Sequence, residues 1–147
     1  MATSLTTSFT LAIARTFLYR SANSGPYTDD SNTFSLQDSL ANGTGADQAD
    51  LLYHTVHTLT NGSSVLIDMA GTEVTPFGET IVMARIKTLV IRHNGTAGSI
   101  TFGGGSNAIT TFFGTNGDGI KIQGDGLFVL HAPDATGYVV TAGTAEN

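Results

Sequence analysis

IVMARIKTLVIR, residues 81–92, is the longest strand-like run in the chain. It follows the punctuation Pro76-Phe77-Gly78 and stops at Asn94-Gly95. Read with a period of two, one face carries Val82, Ala84, Ile86, Thr88 and Val90, which are small, apolar or β-branched. The other carries Ile81, Met83, Arg85, Lys87, Leu89 and Ile91, basic in the middle and apolar at both ends. The pattern predicts the central strand of an antiparallel fold, buried on one face and partly covered on the other. Its basic midsection implies that the second face meets something other than water.

The chain has 147 residues, of which 40% are hydrophobic and only 12% charged. A charged share of about 25% is usual, so Ser, Thr, Asn and Gly carry much of this surface. Eighteen Gly and three Pro suit many short strands joined by tight turns. A net charge of −6 makes a phosphate-backbone binder a poor fit, so no nucleic-acid partner is expected. The absence of Cys excludes disulfides, thiol catalysis and Cys-ligated zinc. No apolar run reaches the length of about 18 residues that a membrane helix needs, and no membrane partner is expected. FTLAIA, residues 9–14, ends in a small-x-small pattern, but its apolar run is short and no basic residue precedes it. A secretory leader is therefore not expected.

Strands are predicted on both sides of the opening run. Over residues 3–20, Leu5, Phe9, Leu11, Ile13, Phe17 and Tyr19 share odd parity, with Ser and Thr in the gaps. Residues 21–50 carry five Asp and no basic residue, with Tyr27, Phe34, Leu36 and Leu40 as possible anchors. They read as a long surface loop or an arm that orders on a neighbour, with a short helical turn within 46–53. Asn61-Gly62 lies between two strand-like runs, 51–59 and 64–69, and predicts a hairpin. Asn42-Gly43, Asn94-Gly95 and Asn116-Gly117 supply three more turn signals. The N-x-S/T pattern at Asn42, Asn61 and Asn94 follows from that turn chemistry. Strands are expected at 120–122, 127–131 and 138–141, and no helix. The fold class is all-β, an antiparallel β-sandwich of jelly-roll-like form with about nine to eleven short strands. Residues 1–45 form an N-terminal strand region and acidic loop or arm. Residues 46–147 form the sandwich core, one domain overall.

The chemistry-bearing motifs are thin. His54 and His57 are three apart, which places them on opposite faces of a strand, so no metal site is expected. His93 and His131 each end a strand run and read as surface or interface residues. Asp118 and Asp125 sit in Gly-rich turns without the further carboxylates of a calcium loop. Gly103-Gly104-Gly105-Ser106-Asn107 lacks the Lys of a phosphate loop, and no helix signal follows it. There is no nucleophile elbow, and aromatic content of 8% without Trp is low for a sugar cleft. No catalytic residue, cofactor or enzyme activity is expected.

Four segments carry a resemblance: GTGADQADLLYHTVHTL (43–59), PFGETIVMARIKTLVIRHN (76–94), ITFGGGSNAITTFFG (100–114) and LFVLHAPDATGYVVTAGT (127–144). In this order they resemble a set of small virion proteins of tailed bacteriophages. Members share a GTGA-QAD lead, an FG-T…IK-L-I strand, a GG-SNA loop and an AP-ATG-VTAGT ending. They continue past TAGT with another apolar strand, where this sequence has Ala145-Glu146-Asn147. The N-terminal strands are expected to fill that place, or an edge is left open for a neighbour.

The resemblance implies a capsid decoration or cement protein, made in the host cytoplasm and placed on the phage head surface. Its partners would be the major capsid protein and other copies of itself, as a homo-dimer or trimer. A tail, neck or fibre component is the alternative, followed by a glycan-binding module. Arg85, Lys87 and Arg92 are the charges expected to meet the acidic arm of a neighbour or the shell. Tyr19, Phe34, Phe112 and Phe113 are the apolar contacts expected to carry affinity, since surface ion pairs contribute little singly.

Overall fold

Two long antiparallel hairpins account for nearly all the regular structure. A computed structural model describes residues 5–19, 27–71, 73–75, 78–105, 109–115 and 117–140. In the first hairpin β1 (Thr7–Tyr19) pairs with β2 (Tyr27–Asn42). The register sets Thr7 opposite Leu40, Phe9 opposite Asp38, Leu11 opposite Leu36 and Ile13 opposite Phe34, and it shifts between Arg15 and Phe17. Residues directly opposite in an antiparallel pair share a face, so these eight side chains form one largely apolar surface. β3 (Gln48–Ala49) adds a short parallel pairing to the end of β2.

The strand β2 replaces the expected loop. Asp29, Asp30, Ser31 and Asn32 have weak strand propensity, but the even-numbered Phe34, Leu36 and Leu40 match the odd-numbered apolar set of β1 across the ladder. Pairing with a good strand overrides poor local propensity. The helical turn expected within 46–53 is instead a tight turn leading into β3.

The second hairpin is a bent two-stranded ribbon formed by nested pairing. β4 (Arg85–Ile86) pairs with β9 (Tyr138–Val139), β5 (Thr88–Arg92) with β8 (Leu127–His131), and β6 (Ser99–Gly103) with β7 (Gly119–Gln123). The gaps between the pairs are bridged as well: Ala132 N donates to Lys87 O, His93 N to Gly126 O and Gly124 N to Gly98 O, while Val140 N to Ala84 O extends the β4–β9 pair outward. The tip holds α1 (Thr110–Phe113), a single helical turn where none was expected. Asn94-Gly95 does not make a hairpin between β5 and β6, because each pairs with the returning half of the ribbon. The positive φ in that connection falls on Gly98.

The opening run is shorter than its pattern predicts. Residues 81–84 hold the 69–73 segment instead, with Ile81 N donating to Glu73 O and Met83 N to Met69 O, both at 2.8 Å. The strand is broken at Lys87, and the consecutive Ile86 and Lys87 are both buried. Parity therefore flips within the run. Ile81 is fully buried, while Val82 and Val90, both placed on the apolar face by strict alternation, are exposed.

The Asn61-Gly62 turn is present, closed by Ser63 N to Thr60 O at 3.0 Å. Its flanks are not strands: among the described residues none between Asp50 and Ala84 lies in a named strand. An isolated bridge joins Val74 and Thr80.

Among the described residues the buried apolar core residues are Leu40, Ile81, Ile86, Ile109, Ile122 and Val140, with Leu40 and Ile81 fully buried. Ile86, Ile109 and Val140 form one cluster with Met83, Leu89, Phe112 and Tyr138 packed against it. The protein is all-β, with nine strands and one helical turn among the described residues. No helix among them is long and apolar enough to cross a membrane.

Candidate interaction surface

The two hairpins are joined through His131 at the end of β8. Its Nε2 lies 2.9 Å from Asp38 Oδ2, its Nδ1 lies 2.9 Å from Thr88 Oγ1, and Phe9 stacks on the ring at 4.6 Å. An ionised carboxylate only accepts, so Nε2 carries the proton, and Thr88 donates to Nδ1 when the ring is neutral. The bond from His131 holds the Asp38 carboxyl below its ordinary value, and the Ser39 amide adds to the effect.

A hydroxyl, an imidazole and a carboxylate in this order have the sequence of an acyl-transfer relay. However, the His131 side chain is only 8% exposed and Phe9 covers it, while Thr88 is its cross-strand partner. We read the trio as a structural tie that fixes the first hairpin to the ribbon.

The loop after β8 makes a second joint. Asp134 Oδ1 accepts from the amides of Thr136 and Gly137 at 2.7 and 2.8 Å, closing the turn. These two amides, Gly137 first, hold the Asp134 carboxyl below its ordinary value, with a smaller contribution from Lys87. Asp47 N donates to Pro133 O at 2.7 Å. Lys87 Nζ donates to Gly45 O at 3.2 Å and to Asp134 O. Arg85 Nη1 donates to Ala135 O.

The residues expected to make contacts therefore fall into distinct places. Lys87 is only 7% exposed, with its ammonium held by backbone carbonyls, so it braces the joint and does not face a partner. Arg85 is exposed but holds the same loop. Arg92 is exposed at the end of β5. Phe112 and Phe113 are half-buried in an aromatic cluster with Phe102, whose ring centroid lies 5.8 and 5.2 Å from theirs. Phe128 and Tyr138 complete that cluster. Phe34 is 55% exposed. Tyr19 ends β1 opposite Tyr27, and its side chain lies outside the described residues. Ser106, Asn107 and the TAGT ending also lie outside them.

What sequence reasoning missed is the gradient of cover along the first hairpin. Its apolar face is buried at the base, where Leu40 is 2% exposed, and bare farther out, where Ile13 and Phe34 are 53% and 55% exposed. A second bare apolar series follows along the strandless stretch, with Leu52, Val56, Leu59, Val65 and Leu66 all exposed. Tyr53 fixes the start of that stretch, its hydroxyl donating to Glu73 Oε2 at 2.8 Å.

His54 and His57 are exposed, and no group of three or more His, Asp or Glu among the described residues is placed to hold a metal. Asp118 Oδ2 accepts from the amide and hydroxyl of Thr115, and Asp125 takes a left-handed φ of 57°, so both serve turns.

No family model, curated protein or solved structure matches the chain. The likeness to phage virion proteins rests on the four sequence segments alone.

Proposed function

We propose that the protein is a structural component of a tailed-phage virion, a head decoration or cement protein that binds the outer capsid surface. The observation that carries this reading is the first hairpin. It is tied to the ribbon at its base, and its apolar face runs outward uncovered. A braced arm with a bare apolar face suits binding without bond-making. A ligand that binds only the assembled shell stabilises that shell by mass action.

The nested ribbon also suits a jelly-roll sandwich, in which a long antiparallel hairpin is wrapped into two facing sheets. The partners in this reading are the major capsid protein and other copies of the chain. Arg92 and the outer face of the hairpin, including Phe34, are the contacts to the shell.

The test is copy number together with capsid binding. Quantified against the major capsid protein in purified virions, decoration requires hundreds of copies per particle. A dozen or fewer would move the protein to the tail or neck. In co-sedimentation with empty capsids, the full chain should pellet with the shells. Phe34→Asp should leave it in the supernatant.

A further inference from the structure

We propose that Asn61 is a self-modification site, deamidated through a cyclic imide formed with Gly62 while the chain stays folded. The inference rests on the chain alone and is independent of the virion reading.

The sequence contains four Asn-Gly pairs, at Asn42, Asn61, Asn94 and Asn116. Glycine has no Cβ to shield its amide, so in an unfolded chain all four offer the same reaction. The Gly amide nitrogen loses its proton to solvent base and attacks the Asn Cγ. A new C–N bond closes the ring, and the side-chain nitrogen takes up a proton and leaves as ammonia. Water then opens the ring at either carbonyl, giving aspartate or isoaspartate. The step requires the amide nitrogen to reach Cγ, so a contact that fixes either group raises the barrier.

The fold makes the four pairs unequal. Asn42 Oδ1 accepts from Leu5 N at 3.1 Å, and Gly43 N donates to Ala49 O at 3.3 Å. Gln48 also packs against Gly43, where a Cβ would lie 2.4 Å from Oε1. Asn116 lies outside the described residues, but the nucleophile of its pair is engaged, since Gly117 N donates to Gly105 O at 3.0 Å. The Asn94 pair is clamped on both sides: His93 N donates to Gly126 O at 2.9 Å, and Gly95 O accepts from Asp125 N at 2.8 Å. The His93 ring crowds Gly95 as well, where a Cβ would lie 2.9 Å from Nε2.

Asn61 and Gly62 are both exposed and differ from the rest. Three bonds close their turn. Ser63 N and Ser63 Oγ donate to Thr60 O at 3.0 and 2.7 Å, and Thr60 N donates to Ser63 Oγ at 2.9 Å. All three run between Thr60 and Ser63, so the peptide joining Asn61 to Gly62 is spanned and not held. Among the described residues nothing bonds the Gly62 amide or the Asn61 carboxamide. Nothing lies within 4 Å of a Cβ built on Gly62. The central peptide can therefore turn its nitrogen toward Cγ without breaking a bond.

The product changes this surface. Residues 51–67 contain no Asp, Glu, Lys or Arg. Either product sets a carboxylate at the tip of the turn, with exposed Leu59 and Val65 on its two flanks. Isoaspartate also adds a methylene to the backbone there. A stretch that carries no acidic or basic side chain when made thus becomes acidic with age.

The experiment is peptide mapping by mass spectrometry of the full chain, aged at neutral and mildly alkaline pH, folded and in urea. Electron-transfer fragmentation separates isoaspartate from aspartate. In the folded chain Asn61 should deamidate at least about tenfold faster than Asn42, whose reacting groups must first give up their hydrogen bonds. In urea the four rates should converge. Asn61→Gln, whose longer side chain would need a larger ring, should remove most of the early acidic species in isoelectric focusing. Faster reaction at Asn42, Asn94 or Asn116 in the folded chain overturns the inference. A preference for Asn61 that persists unchanged in urea also overturns it, as do undiminished acidic species in Asn61→Gln. No capsid enters these measurements, so their failure is separate from failure of the virion reading.

Discussion

Asp38 and His131 are 93 residues apart in the chain, yet Oδ2 of one accepts a hydrogen bond from Nε2 of the other at 2.9 Å. This pair links the two hairpins, and its chemistry makes their docking depend on pH. The Asp38 carboxyl is held below its ordinary value chiefly by the His131 bond and then by the Ser39 amide. A depressed carboxylate contributes stability that is fully present above its unfolded value of about 3.9. That contribution is lost as pH falls through the lower folded value. Asp134 titrates in the same direction through its two turn amides. Asp38→Asn should therefore lower the thermal midpoint at neutral pH and flatten the acid limb only in part. Calorimetry from about pH 2 to 7 follows the acid limb through the unfolded value and below it. An acid limb identical to wild type would show that Asp38 contributes nothing to it.

Lys87 offers a sharper test of the second joint. Its ammonium is buried and donates to Gly45 O and Asp134 O. Lys87→Met keeps most of the packed stem but leaves two carbonyls without that donor, which should cost about 1–3 kcal/mol. Lys87→Ala should cost more, because it also removes the stem. Arg85→Ala, at an exposed side chain, should cost less than either. Urea unfolding of the three variants checks the order.

Residues 81–92 show how far the sequence carries. The antiparallel character of the run and its strand from Thr88 onward were legible, because Leu89, Val90 and Ile91 are β-rich in any context. The buried face was not legible. Strict alternation puts Lys87 opposite Ile86, but a break in the strand buries both. The reason is non-local, since the two carbonyls that accept from Lys87 come from Gly45 and Asp134. The strand β2 was hidden for a similar reason: Asp29, Asp30, Ser31 and Asn32 disfavour a strand, and the pairing register with β1 decides it. The His131 tie could not be read from spacing at all, although Phe34, Leu36 and Leu40 already share one parity with Asp38.

Two glycines separate backbone strain from steric clash. Gly103 has a φ of 88°, and a Cβ there would lie 2.6 Å from Phe113 Cζ and 2.7 Å from Asp118 O. Gly62 has a φ of 79° with nothing within 4 Å. Gly62→Ala should cost about 1 kcal/mol, the strain alone. Gly103→Ala adds the clash with a backbone oxygen that cannot give way, and should cost clearly more. Thermal unfolding of both variants measures the difference. Equal losses would mean that Phe113 and the 118 backbone shift freely.

Tyr53 governs the strandless stretch from the alkaline side. Burial first, and then the bond to Glu73, raises its phenol above the ordinary value. A raised value means that the neutral phenol is favoured in the folded protein. The contribution is therefore full below the unfolded value of about 10 and is lost as pH rises through the higher folded one. Tyr53→Phe removes the titrating group and the 2.8 Å bond together while keeping the ring. At neutral pH it should lower stability by about 1 kcal/mol and speed hydrogen exchange across 51–59. As pH rises above about 10 and through the higher folded value, the difference between variant and wild type should shrink, because the unfolded chain ionises first and the folded phenol then loses the proton it donates to Glu73. A difference that stays constant from neutral to alkaline pH would mean that ionising Tyr53 does not break its tie to Glu73.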